Sequence, residues 1–222
     1  MSQISVQPVA YEVDGVSFEG QLVFDASSSV QRPGLLMAPN WMGVSQGALD
    51  VARQVAGHGY VVLVADLYGK DVRPNGPDQA GAAMMPLKND RALLRKRMQA
   101  AFKTLQAQAG KAPLDTTKLA SFGFCFGGCC ALELARDGAQ LAAAVSFHGT
   151  LDTPNPADAK NIKGAVLVLD GASDPLVPRD SLPAFAKEMT DAGVDWALTS
   201  YGGAVHSFTD PHAQVPGMMQ YD

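Results

Sequence analysis

Residues 118–128 read K-L-A-S-F-G-F-C-F-G-G, and residues 129–137 continue as C-C-A-L-E-L-A-R-D. An apolar run ends in Gly123-x-Cys125-x-Gly127, with Gly128 next, and a helical pattern follows. This is the strand–turn–helix context of a nucleophile elbow, the G-x-S-x-G pattern with sulfur in place of oxygen. Such a turn is sharp, so the residues two places either side of the nucleophile must be small. The side chain is then lifted above the sheet. The following helix turns its unpaired N–H groups and positive dipole end toward it, a field that favours a thiolate. Cys129 and Cys130 fall inside that helix and read as small residues packed on the sheet.

Working outward, residues 9–13 and 17–24 flank Asp14-Gly15, the signal of a two-strand hairpin. Short apolar runs follow at 34–39, 60–65, 118–124, 141–147, 164–170 and 196–201, and read as buried parallel strands. Helical stretches lie between most of them, at 46–57, 90–109, 126–137 and 180–192. Leu94, Met98, Ala101 and Leu105 share one face of the second. The pattern predicts an α/β fold with a mostly parallel central sheet, an N-terminal antiparallel hairpin and helices on both faces; together with the cysteine elbow, the fold expected is that of an α/β hydrolase. Residues 1–222 are read as a single domain. In such sheets ligands bind beyond the carboxyl ends of the strands, so chemistry is expected just after the apolar runs.

An activated thiol needs a base, and the base needs an orienting group. In α/β hydrolases the chain order is nucleophile, acid, histidine. Asp174 lies in G-A-S-D-P-L-V-P after the run 164–170, and His206 lies in G-G-A-V-H-S-F after the run 196–201. The expected catalytic set is therefore Cys125, Asp174 and His206. His148 also follows a strand, but precedes Asp174 and is read as a pocket residue. His58 falls at the opposite end, His212 in a polar tail, and Asp170 inside a strand. Asp152 and Asp180 read as turn or helix-start residues. Acyl transfer also needs two N–H donors for the oxyanion. One is expected from Phe126, after the nucleophile, and the other from Trp41 in A-P-N-W-M-G-V.

Composition narrows the field further. The chain has 222 residues, 47% of them hydrophobic, and a net charge of −5, so no nucleic-acid partner or anionic membrane surface is indicated. The cluster R-A-L-L-R-K-R at 91–97 sits in a helical pattern and reads as a solvated face. The N-terminus lacks a basic-then-apolar leader, and no apolar run reaches the roughly 20 residues that span a bilayer. Three clustered cysteines do not form a disulfide framework, and no zinc spacing is present. A cytoplasmic enzyme with reduced thiols, no metal and no cofactor is expected. It is read as a monomer because no exposed apolar helix stripe stands out.

These residues together resemble the dienelactone hydrolase family. The resemblance rests on the Asp-Gly hairpin, A-P-N-W-M-G-V, G-Y-V-V-L-V-A-D-L-Y-G-K (59–70), G-F-C-F-G-G (123–128), G-A-S-D-P-L-V-P (171–178) and H-S-F (206–208). It implies Cys125 as nucleophile, His206 as base and Asp174 as its partner. The family's type reaction opens a cyclic enol-lactone to a keto diacid without metal or organic cofactor. Three departures matter. A glutamate that contacts the resting thiol in the type enzymes is replaced by Asn40. An arginine for the substrate carboxylate, four residues after the histidine, is replaced by Asp210. Residues 74–90 hold no second arginine, although Arg73 and Arg91 flank the gap. Asn40 and Asp210 are thus the pocket residues expected to shift specificity. Members also continue into one more helix, which the resemblance implies is lacking after Asp222.

The expected activity is hydrolysis of a small carboxylic ester or lactone through an acyl-enzyme on Cys125. Two other readings of the same residues differ in kind. One is a thiol redox sensor or covalent ligand-binding protein. The other is a non-catalytic binding protein on a hydrolase fold, which predicts a missing triad member.

Overall fold

A computed structural model describes residues 3–222. The chain divides into two compact units, residues 1–121 and 122–222. The first unit opens with β1 (Ile4–Val13) and β2 (Val16–Asp25), paired antiparallel in register from Ile4–Asp25 to Val13–Val16. The two-residue turn works because Asp14 and Gly15 both take positive φ, at 53° and 76°. Then follow β3 (Arg32–Ala38), α1 (Gln46–Gly57), β4 (Val61–Val64), α2 (Pro77–Asn89), α3 (Arg91–Gln106) and β5 (Leu114–Phe124). Strand order in this unit is β1-β2-β4-β3-β5, with β3 and β4 parallel. All four residues of β4 are buried, which is why it reads as an unbroken apolar run.

Helix α3 is capped by Asp90, whose carboxylate accepts from the Leu93 N–H at 2.9 Å. Its stripe Leu94, Met98, Ala101 and Leu105 is fully buried, and each leucine contributes about 1.5–3 kcal/mol relative to exposure. The sequence reading assigned nothing to 77–89, where α2 stands. Gly81 and Pro86 lie within it and weaken its pattern, while Pro77 opens it at a position that needs no N–H.

The second unit begins at the end of β5. It continues with α4 (Phe126–Arg136), β6 (Ala143–Phe147), β7 (Ala165–Gly171), α5 (Ser181–Asp191) and β8 (Trp196–Tyr201). β6, β7 and β8 are parallel. Helix α4 lies very close to the strand end: a Cβ on Gly128 would stand 2.4 Å from Ser146 Oγ, and one on Gly149 2.8 Å from the Cys129 nitrogen. No larger residue fits either place. All eleven residues of α4 are buried, including Arg136, which is paired with Glu133 and Glu188. The expected polar tail is instead folded. β9 (Gln214–Val215) and β10 (Met219–Gln220) form a short antiparallel ribbon. No described helix is long and apolar enough to cross a membrane.

Candidate active site

Cys125 stands between β5 and α4 with φ 56° and ψ −122°, a left-handed conformation that a non-glycine residue adopts only under constraint. The constraint is visible. Its N–H donates to the Phe147 carbonyl at 2.9 Å and also points at His148 Nδ1 at 3.1 Å. The Cys125 carbonyl accepts from Gly128 N–H at 3.0 Å, which starts the helix. Phe126 is the first residue of α4, where backbone N–H groups have no partner in the helix. All three cysteines are thiols.

Asp174 and His206, 32 residues apart, meet. His206 Nδ1–H donates to Asp174 Oδ2 at 2.7 Å, and both residues are only 3% exposed. The other carboxylate oxygen accepts from the Leu176 N–H at 2.8 Å, which fixes its orientation. Burial alone pushes the His206 imidazole down. The Asp174 hydrogen bond, then the neighbouring Cys125, push it back up to about 9. Its Nε2 is buried and has no hydrogen-bond partner among the described residues.

The loop carrying Asp174 is held by a residue that sequence reasoning missed. Arg179 forms two bonds to the Asp170 carboxylate, at 2.8 and 3.1 Å. It also donates to the carbonyls of Gly171 and Val177, on either side of Asp174. The signal was present as Asp170 in an apolar strand, since a buried carboxylate requires a partner. The loop carrying His206 is held by the C-terminal ribbon: its N–H donates to Met218 O at 3.1 Å, and its carbonyl accepts from Gln220 N–H at 3.0 Å. His212, placed by sequence in a polar tail, is exposed on this folded segment.

In the first unit, Asn40 and Trp41 occupy the turn after β3, and both are half-buried. Asn40 closes this turn twice, accepting from Met42 N–H through its side chain (3.0 Å) and from Gly43 N–H through its carbonyl (2.9 Å). Tyr68 donates its hydroxyl to the Trp41 carbonyl at 2.9 Å. Asp210, half-buried in the second unit, similarly accepts from His212 N–H at 2.9 Å. Arg73 is engaged by Asp66 and by the carbonyls of Gly69, Val72 and Glu19. No cluster of three or more potential metal ligands occurs among the described residues.

The sequence profile of the dienelactone hydrolase family matches residues 18–222. The chain belongs to that family. As a dienelactone hydrolase family member it is a hydrolase of the lactone and ester class. Among solved structures, m3DLH is 41% identical with a TM-score of 0.91, covering 99% of this chain and 91% of that one. A dienelactone hydrolase-like promiscuous phosphotriesterase from metagenomic libraries, P91, is 38% identical with a TM-score of 0.90 at the same coverage. A probable 2-oxo-3-(5-oxofuran-2-ylidene)propanoate lactonase of Bradyrhizobium is 28% identical over 207 residues, 87% of this chain and 81% of that protein. The mostly parallel sheet and antiparallel hairpin are those of the α/β hydrolase fold, as expected from the sequence.

Proposed function

We propose that this chain hydrolyses small uncharged carboxylic esters or lactones through an acyl-enzyme on Cys125. The observation that carries the reading is the left-handed Cys125 at the head of α4, in the same unit as the buried His206–Asp174 pair. The attacking form in this reading is the Cys125 thiolate with the proton on His206, which Asp174 and Cys125 raise to about 9 against the pull of burial. The thiolate attacks the carbonyl carbon. The Phe126 N–H receives charge on the oxygen, and Trp41 N–H is kept as the second donor on the grounds of its place after β3. His206 gives its proton to the leaving alkoxide, then takes one from the water that cleaves the thioester. Asp174 keeps the imidazole in the tautomer this requires.

An uncharged substrate is favoured by what the polar groups already do. By the family resemblance, Asn40 and Asp210 fall at the positions of the type enzymes' carboxylate and arginine, and each closes a local turn. Arg73 is engaged within its own loop. The likeness to a promiscuous phosphotriesterase adds neutral aryl phosphotriesters as a second class to assay. Three reduced thiols fit a cytoplasmic enzyme.

The test is turnover of a short-chain aryl acetate, an anionic dienelactone and a neutral aryl phosphotriester by wild type and Cys125→Ala. Loss of turnover in Cys125→Ala, with an acetyl group trapped on Cys125 by mass spectrometry, is the expected result. Full turnover in Cys125→Ala would end the reading. If no substrate turns over and mild peroxide oxidises Cys125 selectively, the redox reading takes its place.

A further inference from the structure

His148 is 3% exposed and lies just after β6, and both of its ring nitrogens are engaged. Nδ1 faces the Cys125 N–H at 3.1 Å, and Nε2 faces Thr209 Oγ1 at 3.0 Å. The backbone N–H only donates, so Nδ1 accepts and the proton resides on Nε2, which donates to the threonine. The ring also stands edge-on to His206 with centroids 4.9 Å apart, and to Phe208 at 5.4 Å. One imidazole therefore touches the nucleophile's own peptide, the base's ring and the loop three residues beyond the base.

Backbone strain points to the same group. Four non-glycine residues among those described have positive φ: Asp14, Cys125, His148 and Ser207. The first forms the hairpin turn. The other three are the nucleophile, this histidine and the residue after the base, and strain of this kind persists only where surroundings enforce it.

We propose that His148 is a positioning residue that spans the nucleophile elbow and the base loop, holding Cys125 and His206 in register as a neutral Nε2–H imidazole. This rests on the reading of Cys125 as nucleophile. Its neutral state agrees with the surroundings: burial, then the neighbouring charge of His206, push its pKa down to about 3. The same tautomer removes it as a general base, because its one free lone pair is directed at a backbone N–H.

Three substitutions separate the bonds. His148→Asn places an amide oxygen near the Nδ1 position and tolerates the left-handed backbone. His148→Gln reaches the Nε2 position and leaves the Cys125 N–H with Phe147 alone. His148→Phe keeps the ring and loses both bonds. The expected order of kcat is wild type, then Asn, then Gln and Phe, with the last two lower by roughly tenfold and KM little changed, since small misplacement of reacting atoms costs rate rather than binding. The alkylation rate of Cys125 should follow the same order. Should these variants fail to fold, Thr209→Val and Thr209→Ser decide: the serine keeps most of kcat and the valine loses several-fold. Gln matching or exceeding Asn, or Thr209→Val at the wild-type rate, overturns the proposal. Cys125→Ala is measured beside them. If it is inactive while every His148 and Thr209 variant matches wild type, only the positioning role fails; if it is active, the nucleophile reading fails first.

Discussion

Two buried aspartates, one in each unit, show how the same side chain serves opposite ends. Asp66 follows β4 and is 1% exposed. Its Oδ1 accepts from the N–H groups of Tyr68 and Gly69, and its Oδ2 from Glu19 N–H and Arg73. Asp174 follows β7 and is equally buried. Its Oδ1 accepts from the single Leu176 N–H, and its Oδ2 is given wholly to an imidazole. The first carboxylate is saturated by backbone and guanidinium and builds a loop. The second is held by a single backbone bond and gives its other oxygen to an imidazole, a group able to gain and lose a proton. A buried charge is tolerable in both cases because it is paired; what distinguishes them is whether the partner can titrate.

The difference is open to attack by substitution. The largest effect is expected from Asp174→Asn, which preserves shape but holds the imidazole in the wrong tautomer. Steady-state kcat on an aryl ester should fall by on the order of a thousandfold or more, with the fold retained by circular dichroism. Asp66→Asn should do the reverse. It turns two N–H donors toward N–H donors and should lower unfolding stability by about 2–3 kcal/mol in urea titration, with kcat per folded molecule nearly unchanged. If Asp66→Asn instead lost turnover at full stability, the contrast between the two carboxylates would collapse.

A smaller effect is expected from Arg179→Ala, which releases both ends of the Asp174 loop; roughly tenfold in kcat is expected, recovered in part by Arg179→Lys. pH separates the two site histidines. His206 is raised to about 9 in the folded protein, so its stabilisation is complete below about 6.5 and disappears as pH rises through 9, where turnover should also decline. His148 is lowered to about 3, so the native state loses stability as pH falls below about 6.5, by at most about 1.4 kcal/mol per pH unit. In His148→Asn that acid slope should flatten, as followed by Tm against pH. The mildest effect belongs to Tyr68→Phe, which frees the Trp41 carbonyl and should cost about 1 kcal/mol, read as a few-fold drop in kcat. An unchanged kcat there would remove Trp41 from the oxyanion assignment.

The periodic signals were legible in advance. Unbroken apolar runs predicted β4 and β7, and the four-residue stripe predicted α3, because burial leaves a direct imprint on residue type; the run 196–201, read as a buried strand in the same way, is β8 with mostly exposed side chains. Helix α2 left none, since its glycine and internal proline oppose the helical pattern that tertiary packing overrides. The pairing of Asp174 with His206 was predicted from chain order alone and is present as a 2.7 Å bond. The supports of that pair were not predicted. Arg179 reaches carbonyls on both sides of Asp174, and the ribbon at 214–220 bonds to the His206 backbone. Such bonds use main-chain atoms that every residue shares, so they leave no pattern of residue types.

By itself, the sequence determined the strand–helix alternation, the glycine-flanked cysteine and the order of Cys125, Asp174 and His206 along the chain, since each needs a particular residue type at a particular spacing. Only the tertiary structure decided what His148 is. As a sequence element it was one more histidine after a strand. In the fold, a left-handed backbone and two buried partners leave it one tautomer and one orientation, because a buried imidazole must satisfy both nitrogens with whatever the neighbouring loops present.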